Sequence, residues 1–244
     1  VAEKNHDNQS VDFDRVALVI QDFWSRYLDA YPAQGRETAE VKEAFIKFLG
    51  FKSPLAIYSD NAGEITSAVR KLGGKSITAT PHIPQTNGAA ENSVRRVTEG
   101  TSCALTQSGL SYQWWNSAMR AYCFLRNVTD LQHHGTTPYY RRFGTQFYGH
   151  RIPFGAETGY LKFDQHTKVV LQHPLAEKCH RGIFIGYDLR PGGIWSGDYF
   201  VVDADALNAA DSSQQLRLLR VKDLVIPDYF VFPVATGAIK QPDN

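Results

Sequence analysis

Two carboxylates stand at places where a chain can hold them rigidly. Asp60 follows the short apolar run Pro54-Leu-Ala-Ile-Tyr58, and Glu91 lies just past Gly88, in the first turn of a long periodic segment. A strand end fixes a side chain at the rim of a sheet, where a loop admits substrate. A helix start offers free N–H groups and the positive end of the dipole, which favour an ionised glutamate. Brought together, two such groups hold hard divalent cations such as Mg2+ or Mn2+ through oxygen, leaving positions for water and phosphate. Two ions about 3.5 to 4 Å apart then activate an attacking oxygen and stabilise a leaving one at phosphorus. The chemistry these residue types allow is phosphodiester cleavage and joining.

The same residues have a plainer use. An Asp after a strand commonly caps or turns the chain, and a Glu in a first helical turn commonly answers the dipole. Asn61, Asn87 and Gly88 either shape a site loop or satisfy turns. Asn92, Arg95 and Arg96 follow Glu91 along its helix; Arg95, four residues on, shares its face and either reaches phosphate or is solvated. Gln85 and Thr86 are candidate DNA contacts. Trp114, Trp115 and Tyr122 read as core rather than base-stacking platforms, and His82, His133 and His134 lack metal-ligand spacing.

The elements needed to position these groups are legible. Val16 to Ile20 is an apolar, β-branched strand, followed by a second from Tyr27 to Tyr31, with Asp22 to Arg26 as the turn of an antiparallel hairpin. Glu37 to Leu49 places Val41, Ala44, Phe45, Phe48 and Leu49 on one helical face, with Gly50 beyond it. A strand from Pro54 to Tyr58, a helix from Glu64 to Leu72 closed by Gly73-Gly74, and a strand from Ser76 to Thr80 come next. Residues 81–88 form a loop by their proline and glycine content. A long helix then carries Glu91, another spans Ser111 to Asn127, and a short one starts at Thr137-Pro138 and ends near Gly144.

Beyond that the pattern changes to short alternating strands, among them Gly182 to Tyr187, Asp198 to Asp203 and Leu216 to Val221, with Pro191-Gly-Gly193 between two of them. The order predicts an α/β domain over residues 1–145 and a small all-β domain over 146–235. The polar tail 236–244 is expected to be loose.

Tyr58-Ser-Asp-Asn-Ala-Gly-Glu64, followed by Pro84-Gln-Thr-Asn-Gly-Ala-Ala-Glu-Asn-Ser-Val-Arg-Arg96, resembles the second and third blocks of the integrase catalytic core of retroviruses and copia-type retrotransposons. Val19-Ile-Gln-Asp-Phe-Trp-Ser-Arg-Tyr27, ending in Tyr31-Pro32, resembles the hairpin that precedes them. The three blocks keep the family's order over about residues 10 to 145. Lys178-Cys-His-Arg-Gly-Ile-Phe-Ile-Gly-Tyr187 is similar to the segment after that core, where the family has an SH3-like barrel.

The resemblance implies a ribonuclease-H-like mixed sheet with flanking helices and an Asp, Asp, Glu triad. It puts the second Asp on Asp60 and the Glu on Glu91. Thirty residues separate them, a little fewer than is usual in the family, as a trimmed helix or loop near Leu72 to Lys75 would explain. Asp22 matches a hairpin residue and not the first triad position. Asp7, Asp12 and Asp14 lie in the polar loop before it, so the first catalytic Asp is expected just ahead of Val1, in a longer polyprotein.

The implied activity is DNA integration: metal-dependent polynucleotidyl transfer that processes element DNA ends and joins them to target DNA. Its partners would be those DNAs and further copies of the chain, and its place the nucleus when it acts on chromosomal DNA. Two other readings remain: an inactive integrase-derived remnant that binds DNA or a partner, and a related nuclease or transposase that cuts without joining.

Composition is compatible with all three. The chain of 244 residues is 43% hydrophobic and 21% charged, which are globular values. Its net charge of +1 gives no global signature of a nucleic-acid binder. Locally, residues 81–151 hold seven arginines against three carboxylates, either a binding surface or ordinary variation. Cys103, Cys123 and Cys179 are far apart, so neither zinc nor disulfides are expected, and all three are read as reduced and buried. No apolar run reaches the length of a membrane span, and the chain reads as soluble and intracellular.

Overall fold

A computed structural model describes residues 9–52, 56–59, 62–78, 88–161 and 179–242. The hairpin is present: β1 (Val16–Gln21) pairs antiparallel with β2 (Leu28–Ala33), Ile20 opposite Asp29 and Leu18 opposite Tyr31. Because facing residues of such a pair share a side, Leu18, Ile20, Asp29 and Tyr31 lie on one face and Val19, Leu28 and Ala30 on the other. Both faces are used. α1 (Thr38–Leu49) covers the first face, and α3 (Gly88–Ser108) with α4 (Trp115–Thr129) covers the second through Val97 and Cys123.

α1 starts with a capping box, in which the Glu40 carboxylate accepts from the Glu37 backbone N–H at 3.2 Å. It stops at Gly50, whose left-handed φ of +62° an L side chain resists. Between β3 (Ala56–Ser59) and the parallel β4 (Lys75–Thr78) runs α2 (Gly63–Lys71), packed on α1 through Ala68 and Val69. Among the described strands, the β1–β2 and β3–β4 pairs are separate two-stranded sheets. They nevertheless share an apolar cluster, since Leu18, Ile20 and Ile57 all pack against the group Val41, Phe45, Ala68 and Val69. The first half is therefore a mixed α/β arrangement.

α3 and α4 cross closely where Gly100 faces the Tyr122 ring; a Cβ on Gly100 would lie 2.0 Å from it. A 3-10 turn over Tyr112–Trp114 leads into α4, where the sequence pattern predicts continuous helix. α5 (Pro138–Phe143) begins as expected, with Thr137 Oγ1 accepting from Tyr140 N at 3.2 Å, and ends at left-handed Gly144.

The second half holds one five-stranded antiparallel sheet. Its order is β8 (Leu219–Val221), β7 (Trp195–Asp203), β6 (Cys179–Leu189), β5 (Glu157–Leu161) and β9 (Leu224–Val225), with β8 and β9 at the edges. The helix α6 (Ala204–Ala209), capped by Asp203, continues from β7 where the alternating pattern gave no hint of one. Phe124, Tyr139, Phe147, Tyr187, Trp195 and Tyr199 form a single aromatic cluster across the two halves, Phe124 and Tyr187 with centroids 4.4 Å apart.

Two expectations change. The tail is held: Ile239 is 4% exposed, and the Gln241 side chain bonds Ser111 N at 2.6 Å and Gly109 O at 3.1 Å. A polar composition concealed these two specific contacts. Only Cys123 is buried, while Cys103 and Cys179 are exposed, because they fall on outward positions of α3 and β6. In addition, the far edge of β2, which no described strand pairs, is met by a side chain. Asn127 of α4 donates from Nδ2 to Leu28 O at 2.7 Å and accepts from Leu28 N at 3.0 Å, completing the ladder as a strand would. No described helix is long and apolar enough to cross a membrane.

Replacing Asn127 by Ala strands both Leu28 backbone groups in a buried site. Urea unfolding should show a loss of about 2 to 4 kcal/mol, and a loss under 0.5 kcal/mol would show that water replaces the amide.

Candidate metal and nucleic-acid site

Glu91 projects from the first turn of α3. It is exposed, and no described cationic side chain pairs with it. Its turn is fastened to the hairpin by Ser93, whose buried hydroxyl donates to Gln21 Oε1 at 2.9 Å and lies 2.9 Å from Ala89 O. The sequence therefore puts the carboxylate at a helix start, and the tertiary structure anchors that start to the end of β1.

Asp60, Asn61, Gln85, Thr86 and Asn87 lie outside the described residues, as does His82. Their flanks are described. Ser59, which precedes Asp60, is 8% exposed at the end of β3, and Ala62 leads into α2. Ala62 and Val94, one turn on from Glu91, both line a groove of about 990 Å³. Asp29 and Tyr31 of β2 and Arg120 of α4 line it too.

The remaining candidates divide. Asn92 and Arg95 are exposed, and Arg95 spends its guanidinium along the helix, donating to Asn92 Oδ1 at 3.0 Å and reaching Glu99 at 3.5 Å. An exposed pair of this kind is weak and leaves the arginine available to phosphate. Arg96 is half-buried on the same helix. Of the other arginines in this basic stretch, three are occupied by the fold. Arg126 pairs with Asp130 at 2.9 Å, Arg151 donates to Val128 O at 3.2 Å, and Arg142 is enclosed by α1 and the hairpin. Trp114 is 2% exposed and so belongs to the core. His133 and His134 sit in an exposed turn, and no group of three potential metal ligands occurs among the described residues.

Asp29 went unnoticed in the sequence because Leu-Asp-Ala-Tyr reads as an apolar strand. It is 2% exposed; Tyr31 Oη donates to its Oδ2 at 2.9 Å and Ala30 N to its Oδ1 at 2.8 Å. Burial raises its pKa, opposed by Arg120, those two hydrogen bonds and Arg142. Asp14, near the groove mouth, is also raised by burial, with hydrogen bonds from Asn116 and Ser10 opposing.

No family model matches the chain, and no curated protein matches it. Among solved structures it is similar to the catalytic core domain of BIV integrase, with 20% identity and a TM-score of 0.41 over 55% of this chain and 88% of that one. It is also similar to a chain of the simian T-cell lymphotropic virus intasome in complex with PP2A regulatory subunit B56 gamma, at 15% identity and a TM-score of 0.44 over 86% of this chain and 71% of that one.

The buried carboxyl of Asp29 gives a pH signature. Its folded pKa lies above its unfolded value, so the folded state holds the proton more tightly, and stability from this group falls as pH rises above the unfolded value toward the folded one. Asp29→Asn should remove that decline, so its gain in Tm over the parent grows as pH is raised above the ordinary carboxyl range. A gain that shrinks with pH would mean that Arg120 and Arg142 outweigh burial.

Proposed function

We propose that the chain is the catalytic region of a retroelement DNA integrase, with residues 1–145 as its core and 146–235 as an accompanying β-rich domain of SH3-like type. The observation that carries this reading is local. The motif flanks on either side, Ala62 just past Asp60 and Val94 one turn past Glu91, both line one groove. That is what the order of the Tyr58–Glu64 and Pro84–Arg96 blocks requires of a shared site.

In this reading Asp60 and Glu91 hold Mg2+ or Mn2+, for which carboxylate oxygens are suitable ligands. Glu91 fits the role on three counts: it is exposed, it starts a helix, and it has no described cationic partner. When bound, such ions stabilise charge on the attacking and leaving oxygens of a phosphodiester. The chain's own residues orient the strand. Asn92, Arg95 and Arg96 contact the DNA backbone along α3, Gln85 and Asn87 contact it from the segment before that helix, and the Ser93–Gln21 bond keeps Glu91 at a fixed height over the hairpin. Element ends and target DNA are the substrates, copies of the chain assemble around them, and the reaction takes place on nuclear DNA.

The test is strand transfer by protein expressed from the intact reading frame, with Mg2+ or Mn2+ and a labelled DNA end. Asp60→Asn and Glu91→Gln should each lower joined product more than about 100-fold with Tm unchanged. Full joining by either variant would falsify the assignment. Strands cut but never joined would turn it into a nuclease.

A further inference from the structure

The tip of the β1–β2 hairpin turns two large aromatic rings outward. Phe23 is 58% and Trp24 62% exposed, on a turn whose neighbours Ser25 and Tyr27 are fully buried. Nothing in the packing accounts for them, since the hairpin's two faces are already covered by α1 on one side and α3 with α4 on the other. The tip is rigid in its construction. Asp22 accepts from Trp24 N at 3.1 Å and from Ser25 Oγ at 2.5 Å, and Arg26 N bonds Asp22 O at 2.8 Å.

Cations are interleaved with the rings. The Arg141 guanidinium lies over Trp24 at 4.8 Å from the ring centroid, and Arg26 lies over Phe23 at 5.8 Å. His134 accepts from Arg141, and the His133 ring meets it edge-on. His134 is held below the ordinary histidine pKa by desolvation and by the positive fields of His133, Arg141 and Arg26, so these groups share one patch. Among the described residues neither Arg26 nor Arg141 has a carboxylate partner. Asp22 is engaged in its turn and Asp130 with Arg126.

Flat exposed rings alternating with guanidinium groups that no described carboxylate neutralises fit a polymer that offers flat bases and phosphates in alternation. Stacking on such rings tolerates any base, and guanidinium groups take phosphate oxygens. A duplex hides its base faces, so the partner is unpaired. We propose that Phe23, Trp24, Arg26 and Arg141 form a binding surface for single-stranded DNA, bases stacking on Trp24 and Phe23 and phosphates held by Arg26 and Arg141. The hairpin is tied to the helix of the candidate site, because Gln21, the last residue of β1, is bonded to Ser93 of α3. The choice of DNA over RNA rests on the reaction proposed above; the stacking surface itself does not.

The experiment is a binding titration of labelled dT12, rU12 and a 12-base-pair duplex to the 244-residue chain in EDTA. Without metal, its outcome is independent of Asp60 and Glu91. The parent should prefer dT12 to both others. Trp24→Ala should weaken dT12 binding about 5- to 100-fold and Trp24→Phe should restore most of it. Arg26→Gly with Arg141→Gln should flatten the dependence of log affinity on log salt by about 1.4, the release expected for two single-strand phosphates. The glycine also relieves the left-handed φ of +64° at position 26, so lost binding with retained Tm is not misfolding. Unchanged dT12 affinity in Trp24→Ala, preference for duplex or rU12, or equal competition by polyglutamate would each overturn the proposal. So would a dimer of the parent that Trp24→Ala dissolves, since a second copy would then be the occupant.

Discussion

The Arg142 guanidinium is the interaction on which the two halves of the molecule depend. Its side chain is 6% exposed, with Cζ 4.3 Å from the Phe48 ring centroid and 4.7 Å from that of Tyr27. Its Nε donates to Gly192 O at 3.2 Å and its Nη2 to Phe48 O, while Asp22 lies 3.7 Å from Nη1. One side chain on α5 thereby joins the hairpin, the end of α1 and the β6–β7 connection. A buried cation is tolerable only when its donors are met and its face is covered, and here aromatic faces and two carbonyls do both. Lysine has the charge but not the planar fork, and could not serve three elements at once.

The backbone had to come close for this to happen, and the glycines of the β6–β7 connection allow it. Gly192 N donates to Lys47 O at 2.7 Å, and Gly193 O accepts from Tyr27 Oη at 2.8 Å. A Cβ at Gly193 would lie 2.6 Å from that hydroxyl. With this junction made, the aromatic cluster from Phe124 to Trp195 becomes a single core spanning both halves. The hairpin, clamped from this side by Arg142 and from the other by Asn127, is the fixed platform against which α3 presents Glu91.

The arginines of the central segment illustrate how charge is divided between folding and binding. Arg126, Arg142 and Arg151 serve carbonyls and a neighbouring acid, whereas Arg95 and Arg141 remain at the surface, the first beside Glu91 and the second against Trp24. A local excess of positive charge in a sequence is therefore an upper limit on what is left for a ligand. Which arginines are consumed depends on which carbonyls the fold leaves without partners.

Much of this protein was determined by its sequence alone. Apolar patterning anticipated the hairpin, α1, α2, α3 and a strand from Pro54 to Tyr58, where β3 runs Ala56–Ser59, because each element's pattern is set by residues close in the chain. Gly50 and the Thr137-Pro138 start marked helix ends for the same local reason. The types and spacing of Asp60 and Glu91 suggested a chemistry, which the proposal above puts to the test. Tertiary structure alone decided the rest: Asn127 standing in for a strand beside Leu28, Asp29 buried in an apolar-looking run, Gln241 holding the tail, and Phe23 and Trp24 left outside. Those are long-range matters of which surface meets which. A short window of sequence gives the type of each side chain, but its partner lies up to 166 residues away, as Tyr27 and Gly193 do.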